Sequence, residues 1–312
     1  IKSWTKLLNI DDKEFLKETD GSYKLSIKFT DFYKKGESFH YPFGFPYSKE
    51  NKASLNDWWF KKFIYPETNN SDYADCYYPQ MALVNQNKCF YNENNEIPFD
   101  FIRDTAYHFD AVKFAHWLKN KYCIPRGLKH IEDNIISIEQ DENGIKSLNN
   151  KYTADLFIDC TGFKSLLLGE SLKEPFESYC DMLPNNSAWT TRIPYKDKEK
   201  ELVGYTNCTA IKKVKMRVGI HKRLWVKNVV AIGLSAGFIE PLESNGLFSV
   251  HEFLIKLVRN LQREKVSQWD KDNFTFQCKL MFRNFAEFVA LHYALSHRTD
   301  TQYWKDNLNK NW

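Results

Sequence analysis

Two short and almost wholly apolar runs, each stopped by a glycine-bearing turn, constrain the fold more than any other feature of this sequence. Leu156-Phe157-Ile158 ends in Asp159-Cys160-Thr161-Gly162, and Asn228–Ile232 runs into Gly233 and the turn beyond it. Strands apolar on both faces need cover on both faces, as in a parallel sheet flanked by helices. The second run leads to Leu247, Val250, Leu254, Leu257, Val258 and Leu261 at the spacing of a long amphipathic helix. A second helix is expected over Phe282–Leu295, and a third over Asp110–Tyr122, with Val112, Ala115, Trp117, Leu118 and Tyr122 on or near one face. Ile135–Ile138 and Ile145–Leu148 flank Asp141-Glu142-Asn143-Gly144 and predict a hairpin. Residues Tyr23–Phe32 alternate, with Tyr23, Leu25, Ile27 and Phe29 on one side and Lys24, Ser26, Lys28 and Thr30 on the other. That pattern predicts a half-buried strand. Phe39–Trp59 is aromatic, carries Pro42 and Pro46, and reads as a loop. Alternating strands and helices give an α/β class with a parallel sheet.

Composition removes several functions. The 312 residues carry 44 Lys and Arg against 40 Asp and Glu, a net charge of +4. So small an excess argues against a nucleic-acid binder, which concentrates positive charge on one face. The seven cysteines, Cys76, Cys89, Cys123, Cys160, Cys180, Cys208 and Cys278, never form a C-x-x-C pair. Neither a zinc site nor a disulfide framework is expected, and a reducing, cytoplasmic compartment is. The longest apolar stretch, Val229–Ile239, is too short and too broken by glycine to span a bilayer, so no membrane partner is expected. His292 and His297 stand five apart and would diverge on a helix, so no metal is expected.

Two segments suggest chemistry. The strand ending at Asp159-Cys160-Thr161-Gly162 places small groups at the carboxyl end of a sheet, where open α/β sheets bind ligands. The same pattern is equally that of a plain strand closed by an Asx turn. The second segment, Gly233–Leu247, joins a buried strand to the long helix. Ser244 is placed to cap that helix, and the amides of Asn245 and Gly246 then point outward at its positive end, a ready anion site. Gly246, lacking a Cβ, leaves room for a ligand. Glu243 either serves chemistry or complements the helix dipole, and Glu240 is a second acid nearby.

The segments Leu25-Ser26-Ile27-Lys28-Phe29, Tyr107-His108-Phe109-Asp110, Asp155–Phe163, Gly237–Gly246 with its Glu240-Pro241-Leu242-Glu243-Ser244 core, and His292–Asp300 resemble the flavin-dependent tryptophan halogenase family, in the family's order and over most of the chain. The resemblance implies an α/β fold with a Rossmann-like FAD-binding domain of flavin monooxygenase type and a mainly helical substrate domain. It divides the chain into an FAD-binding domain over 1–260, with substrate-side insertions at about 30–110 and 175–211, and the start of the helical domain over 261–312. It implies FAD, used as FADH2, with O2 and a halide ion, chloride or bromide, as the source of hypohalous acid. This oxidant is relayed to Lys28 for electrophilic halogenation of a small aromatic substrate, indole-like or phenolic. A lysine buried in such a tunnel has a depressed pKa and hydrogen-bonds the oxidant or becomes a haloamine. Glu243 matches the catalytic glutamate, which orients the oxidant or takes the proton from the substituted ring. Asn245 and Gly246 are expected to hold the halide through their amides; many members have Thr at the position of Asn245. Leu234 and Leu247 flank the flavin, Ile135 lies on its adenine side, and Tyr41 and Phe43 sandwich the substrate ring. A separate NAD(P)H-dependent flavin reductase is the implied partner.

The resemblance places a G-x-G-x-x-G fingerprint before Ile1, a W-x-W-x-I-P motif after Ile211, and an aromatic and acidic segment after Trp312. At Ile211 the sequence passes to Lys212-Lys213-Val214, which resembles a later part of the family, so a join near Ile211/Lys212 is expected. The alternative within the same fold is a flavin-dependent aromatic hydroxylase, which needs neither Lys28 nor a halide site. A non-catalytic aromatic-rich binder would account for the 50 aromatic residues (9 Trp, 17 Tyr, 24 Phe) but not for the 240–244 segment.

Overall fold

The computed structural model describes residues 2–47, 55–88, 99–190, 212–242 and 244–310. Two compact units emerge: Ile1–His130 with Arg192–Thr209 and Ser296–Leu308, and Ile131–Thr191 with Ala210–Leu295 and Asn309–Trp312.

In the first unit, β1 (Ser22–Lys24), β2 (Ser26–Thr30), β3 (Ser38–Pro42) and β4 (Ala106–His108) form two antiparallel ribbons, β1 with β4 and β2 with β3. The single strand expected over Tyr23–Phe32 is therefore broken at Leu25. That side chain is fully buried and packs with Ala74, Met81, Val84 and Phe99. Ser26, expected on the polar side, is fully buried too, and its hydroxyl lies 2.8 Å from Nδ1 of His40. A polar group tolerates burial when it keeps a hydrogen bond. The expected loop Phe39–Trp59 instead contributes β3 and the helix Leu55–Ile64; Pro42 ends its strand, where a missing N–H costs nothing. Asp110 caps the helix Ala111–Trp117, accepting from the amides of Val112 and Lys113. Its buried face is Phe114 and Trp117, not Val112 and Ala115, since Phe15 draws those two rings into one cluster with Tyr107.

The second unit begins with a hairpin, β5 (Ile138–Asp141) and β6 (Gly144–Leu148). The second arm is as expected, while the first runs three residues later than the expected Ile135–Ile138, because the turn is tighter than Asp141–Gly144 suggested. Asp141 closes the turn by accepting from the amides of Asn143 and Gly144, and Gly144 sits at φ +127°, which favours glycine. Next come β7 (Phe157–Asp159), β8 (Phe176–Ser178), β9 (Ser187–Thr190), β10 (Lys212–Lys215), β11 (Gly219–His221), β12 (Trp225–Val226), β13 (Val229–Ala231) and β14 (Gly237–Phe238). The sheets run β12-β13-β7, β14-β11-β8 and β10-β9. Among the described residues, parallel pairing is confined to β13 with β7, less than the expected parallel sheet. Val229, Val230 and Ala231 are all fully buried, as their apolar run requires.

The amphipathic helix spans Asn245–Leu261, and its buried face centres on Phe253 and Leu257, leaving Val258 and Leu261 exposed. The following helix spans Gln268–Ala294, starting well before the expected Phe282. Its start is a capping box, Ser267 with Asp270, which satisfies amides at the helix end. Phe253 meets Phe274 and Phe282 at 6.4 Å, and Trp225 meets Phe274 edge-on at 5.8 Å. These contacts set the helix pair against the β12-β13-β7 sheet.

Candidate active site

The carboxyl end of β7 is a closed network. Asp159 is fully buried; its Oδ1 accepts from the amide and hydroxyl of Thr161 at 3.0 and 2.7 Å, and its Oδ2 from the amides of Leu167 and Leu168 at 2.8 and 2.9 Å. Thr161 Oγ1 in turn accepts from the amide of Leu166 at 2.7 Å. A carboxylate has about four acceptor directions, and all are spent within the chain. The plain Asx-turn reading of this segment is what the geometry supports.

The Gly233–Leu247 segment is different. From β13 the chain turns through Gly233–Ser235 and enters β14, where Gly237 lets two backbones meet: a Cβ there would fall 2.5 Å from the Gly219 carbonyl oxygen. Glu240 follows, 7% exposed, with Oε2 accepting from Asn185 Nδ2 at 2.6 Å. Burial raises its pKa, and the hydrogen bonds with Tyr293 and Asn185 oppose that rise. The amide of Ser244 donates to the Pro241 carbonyl, and Ser244 adopts a left-handed conformation, φ +58°. The expected side-chain cap from Ser244 is therefore not made. The backbone turn starts the helix instead. Glu243 lies outside the described residues.

At the helix start, Asn245 is 6% exposed, and neither its Nδ2 nor its Oδ1 has a hydrogen-bond partner. Gly246 is exposed, and a Cβ there would meet nothing within 4 Å. Both residues line a cavity of about 250 Å³ whose walls include Leu234, Phe238, Leu247 and Phe285. Leu234 and Leu247 are 41% and 38% exposed. Apolar walls, a helix start with unbonded first-turn amides and an orphaned carboxamide suit a flat ring system bearing polar edges. Residues expected at the flavin ring and the halide, Leu234, Leu247, Asn245 and Gly246, thus share one cavity. Ile135 is half-buried just before β5, away from that set in sequence, and does not line it.

Lys28 stands on β2, exposed and opposite His40 of β3. The burial expected of a tunnel lysine is absent at this side chain. Its charge registers on His40, whose pKa is lowered by burial first and by Lys28 second. Tyr41 pairs with Ile27 in the ladder, so it projects from the face opposite Lys28, 43% exposed. Phe43 follows on the same hairpin, its amide donating to the Leu25 carbonyl, with the Lys24 ammonium 5.4 Å from its ring. The 296–298 stretch anchors the end of β2: Ser296 Oγ donates to the Phe32 carbonyl at 2.7 Å, the His297 amide to the Tyr33 carbonyl at 2.9 Å, and Arg298 to the Asp31 carbonyl. Among the described residues no group of three His, Cys, Asp or Glu side chains could hold a metal.

A family model described as tryptophan halogenase matches residues 1–213 and 209–312. The chain belongs to the tryptophan halogenase family. Among its relatives in this family is tryptophan 6-halogenase SttH of Streptomyces toxytricini, 27% identical over 98% of this chain and 71% of that protein. Tryptophan 7-halogenase RebH of Lentzea aerocolonigenes is also 27% identical, over 96% of this chain and 68% of its own length. Among solved structures, ligand-free VirX1 superimposes with a TM-score of 0.87 at 34% identity, over 98% of this chain and 70% of that one. The SttH crystal structure gives 0.84 at 26% identity, over 99% and 71%. The α/β fold with a Rossmann-like FAD-binding part is thus that of the tryptophan halogenases, and the chain is an enzyme of flavin-dependent halogenase type. The family match breaks into two stretches that meet at 209–213, the neighbourhood of the expected join. No described helix is long and apolar enough to cross a membrane.

Sequence reasoning missed Asn185 and Tyr293, which hold the Glu240 carboxyl. Tyr293 falls inside the His292–Asp300 stretch that carries the family resemblance. Asn185 had no local signal.

Proposed function

We propose that this family member halogenates a small aromatic substrate, indole-like or phenolic, using FADH2 delivered by a separate NAD(P)H-dependent flavin reductase. The observation that carries the reading is the cavity at the start of the 245–261 helix, with Asn245 and Gly246 in its wall. Leu234 and Leu247 would hold the flavin ring, within a flavin-binding part drawn from residues 1–260, and Ile135 would serve the adenine side. Reduced FAD, with O2 and a halide, supplies hypohalous acid there. The amides of Asn245 and Gly246 hold the halide, since first-turn amides lack intrahelical acceptors and the helix end is positive. Gly246 leaves the approach free of a side chain.

Lys28 receives the hypohalous acid through its amine and presents the halogen to the substrate ring. Phe43, just past the end of β3, supplies an aromatic face that positions the ring, whereas Tyr41, on the hairpin face opposite Lys28, does not face the ring that Lys28 reaches. Glu243 accepts the proton that the substituted carbon must lose.

The test is mass spectrometry of products from the protein with FAD, a flavin reductase, NADH and each halide, offered indole, tryptophan and small phenols, with Lys28→Ala run in parallel. A halogen mass shift that disappears in Lys28→Ala supports the assignment. Equal product from the variant would mean freely diffusing hypohalous acid and removes Lys28 from the reaction. A hydroxylated product without halogen would move the enzyme to the hydroxylase reading.

A further inference from the structure

Among the described residues, one uncommitted polar side chain stands in the wall of the cavity at the 245–261 helix. Of the described residues lining it, only Asn245 and Ser249 have polar side chains, and the Ser249 hydroxyl donates to the Gly246 carbonyl at 2.7 Å. Asn245 is 6% exposed, and both ends of its carboxamide are unpaired and closed off from the cavity. Which end is oxygen and which nitrogen does not matter, because both lack partners. Ser235 Oγ and Glu240 Oε1 are also unpaired, but neither residue lines the cavity.

A carboxamide buried in this way needs a ligand offering an acceptor and a donor side by side. A halide meets only half of that demand. It takes a bond from Nδ2 and places negative charge beside Oδ1, which stays unsatisfied and is repelled. Water is no better suited, because a buried water requires two to four polar partners and these walls are almost entirely apolar. A cyclic ureide edge, a ring N–H next to a ring carbonyl, satisfies both ends at once in a paired pattern.

We infer that the Asn245 carboxamide turns from the cavity wall to read the ureide edge of the ring bound in this cavity, and that the halide is left to the backbone amides. The inference rests on the flavin reading above, since the isoalloxazine pyrimidine presents such an edge at N3–H and its neighbouring carbonyls. Asn245 is then a specificity residue for the oxidised and reduced ring alike, and its part in binding is separable from turnover.

The experiment titrates the full chain with FAD and with 3-methyl-FAD, whose methyl group removes the N3 donor, following flavin fluorescence without turnover. In the native protein, 3-methylation is expected to weaken binding about ten-fold, the effect of leaving one buried polar group unpaired. In Asn245→Ala the two flavins should bind equally, each more weakly than FAD binds the native protein. Equal penalties for 3-methylation in both proteins, or none in the native one, overturn the inference and leave the flavin site standing. Failure of FAD itself to bind the native protein overturns the flavin reading, and this inference with it. Melting of the ligand-free proteins checks the orphaned state directly. Asn245→Ala should melt at or above the native temperature, because it removes an unsatisfied buried amide. A clear fall would mean that the amide has partners within the chain and would overturn the inference.

Discussion

Replacing Asp159 with alanine removes four acceptor contacts at once and leaves the amides of Leu167 and Leu168 without a partner. Those two residues are 5% and 0% exposed, so water does not replace the lost bonds. A buried unpaired group costs roughly 1–3 kcal/mol, and the lost bonds are charge-assisted, so the expected destabilisation is about 4 kcal/mol. With a urea slope of ~2 kcal/mol/M, the unfolding midpoint should fall by about 2 M. Asp159→Asn keeps the shape but turns one end into a donor facing donors, and should recover less than half of the loss. Thr161→Val removes a hydroxyl that both donates to Asp159 and accepts from Leu166, so its cost should fail to add to that of Asp159→Ala. Far-ultraviolet circular dichroism and tryptophan fluorescence would report unfolding, and FAD titration would be run on the same variants. The reasoning is refuted if Asp159→Ala is as stable as the native protein yet no longer binds flavin. Asp159 would then be a ligand group, and the network would not be what holds the turn after β7.

Arg223→Met leaves the Glu174 carboxylate, whose side chain is 1% exposed, without its forked partner. A loss of about 2–3 kcal/mol is expected in urea unfolding, softened because the Arg223 backbone amide still donates to Glu174 at 2.9 Å. Arg223→Lys should rescue little, since a single ammonium cannot reproduce the fork. Acid should weaken the fold between pH 6.5 and about 4. Burial, with Lys24 adding to it, lowers His108 to about 4, and burial lowers His251 to about 4, both from 6.5. Between those values the unfolded chain binds protons that the folded chain refuses, so stability falls as pH falls through that window. Urea midpoints measured at steps from pH 7 to 4 check this, and His108→Gln should flatten part of the slope. A profile unchanged by that substitution would show that His108 titrates normally in the fold.

What was legible in the sequence was what neighbouring residues decide among themselves. The β5–β6 hairpin follows from Asp141 and Gly144, whose turn bonds span two or three residues. β7 and β13 follow from apolar runs too short for helices, and the 245–261 helix from its apolar period. Distant partners decided the rest. Ser26 tolerates burial because His40 reaches it across a hairpin, and the expected alternation fails there as the strand breaks at Leu25. Trp117 turns inward as its spacing predicts, but Phe114 joins it because Phe15 waits for both rings almost a hundred residues earlier in the chain. The start of the 268–294 helix did have a local mark, Ser267 with Asp270, and the apolar period further along the helix drew attention away from it. The site divides in the same way. The pattern of a buried strand running into a long helix located the Gly233–Leu247 loop, and the family resemblance agreed, while the two facts that give it chemical content are matters of burial. Glu240 is fastened by Asn185, 55 residues away, and Asn245 is left with nothing to bond. A chain bears the cost of an orphaned carboxamide at a helix start when something outside the chain completes it, so the one orphaned residue of this loop that also lines the cavity is the one that points most directly to a ligand.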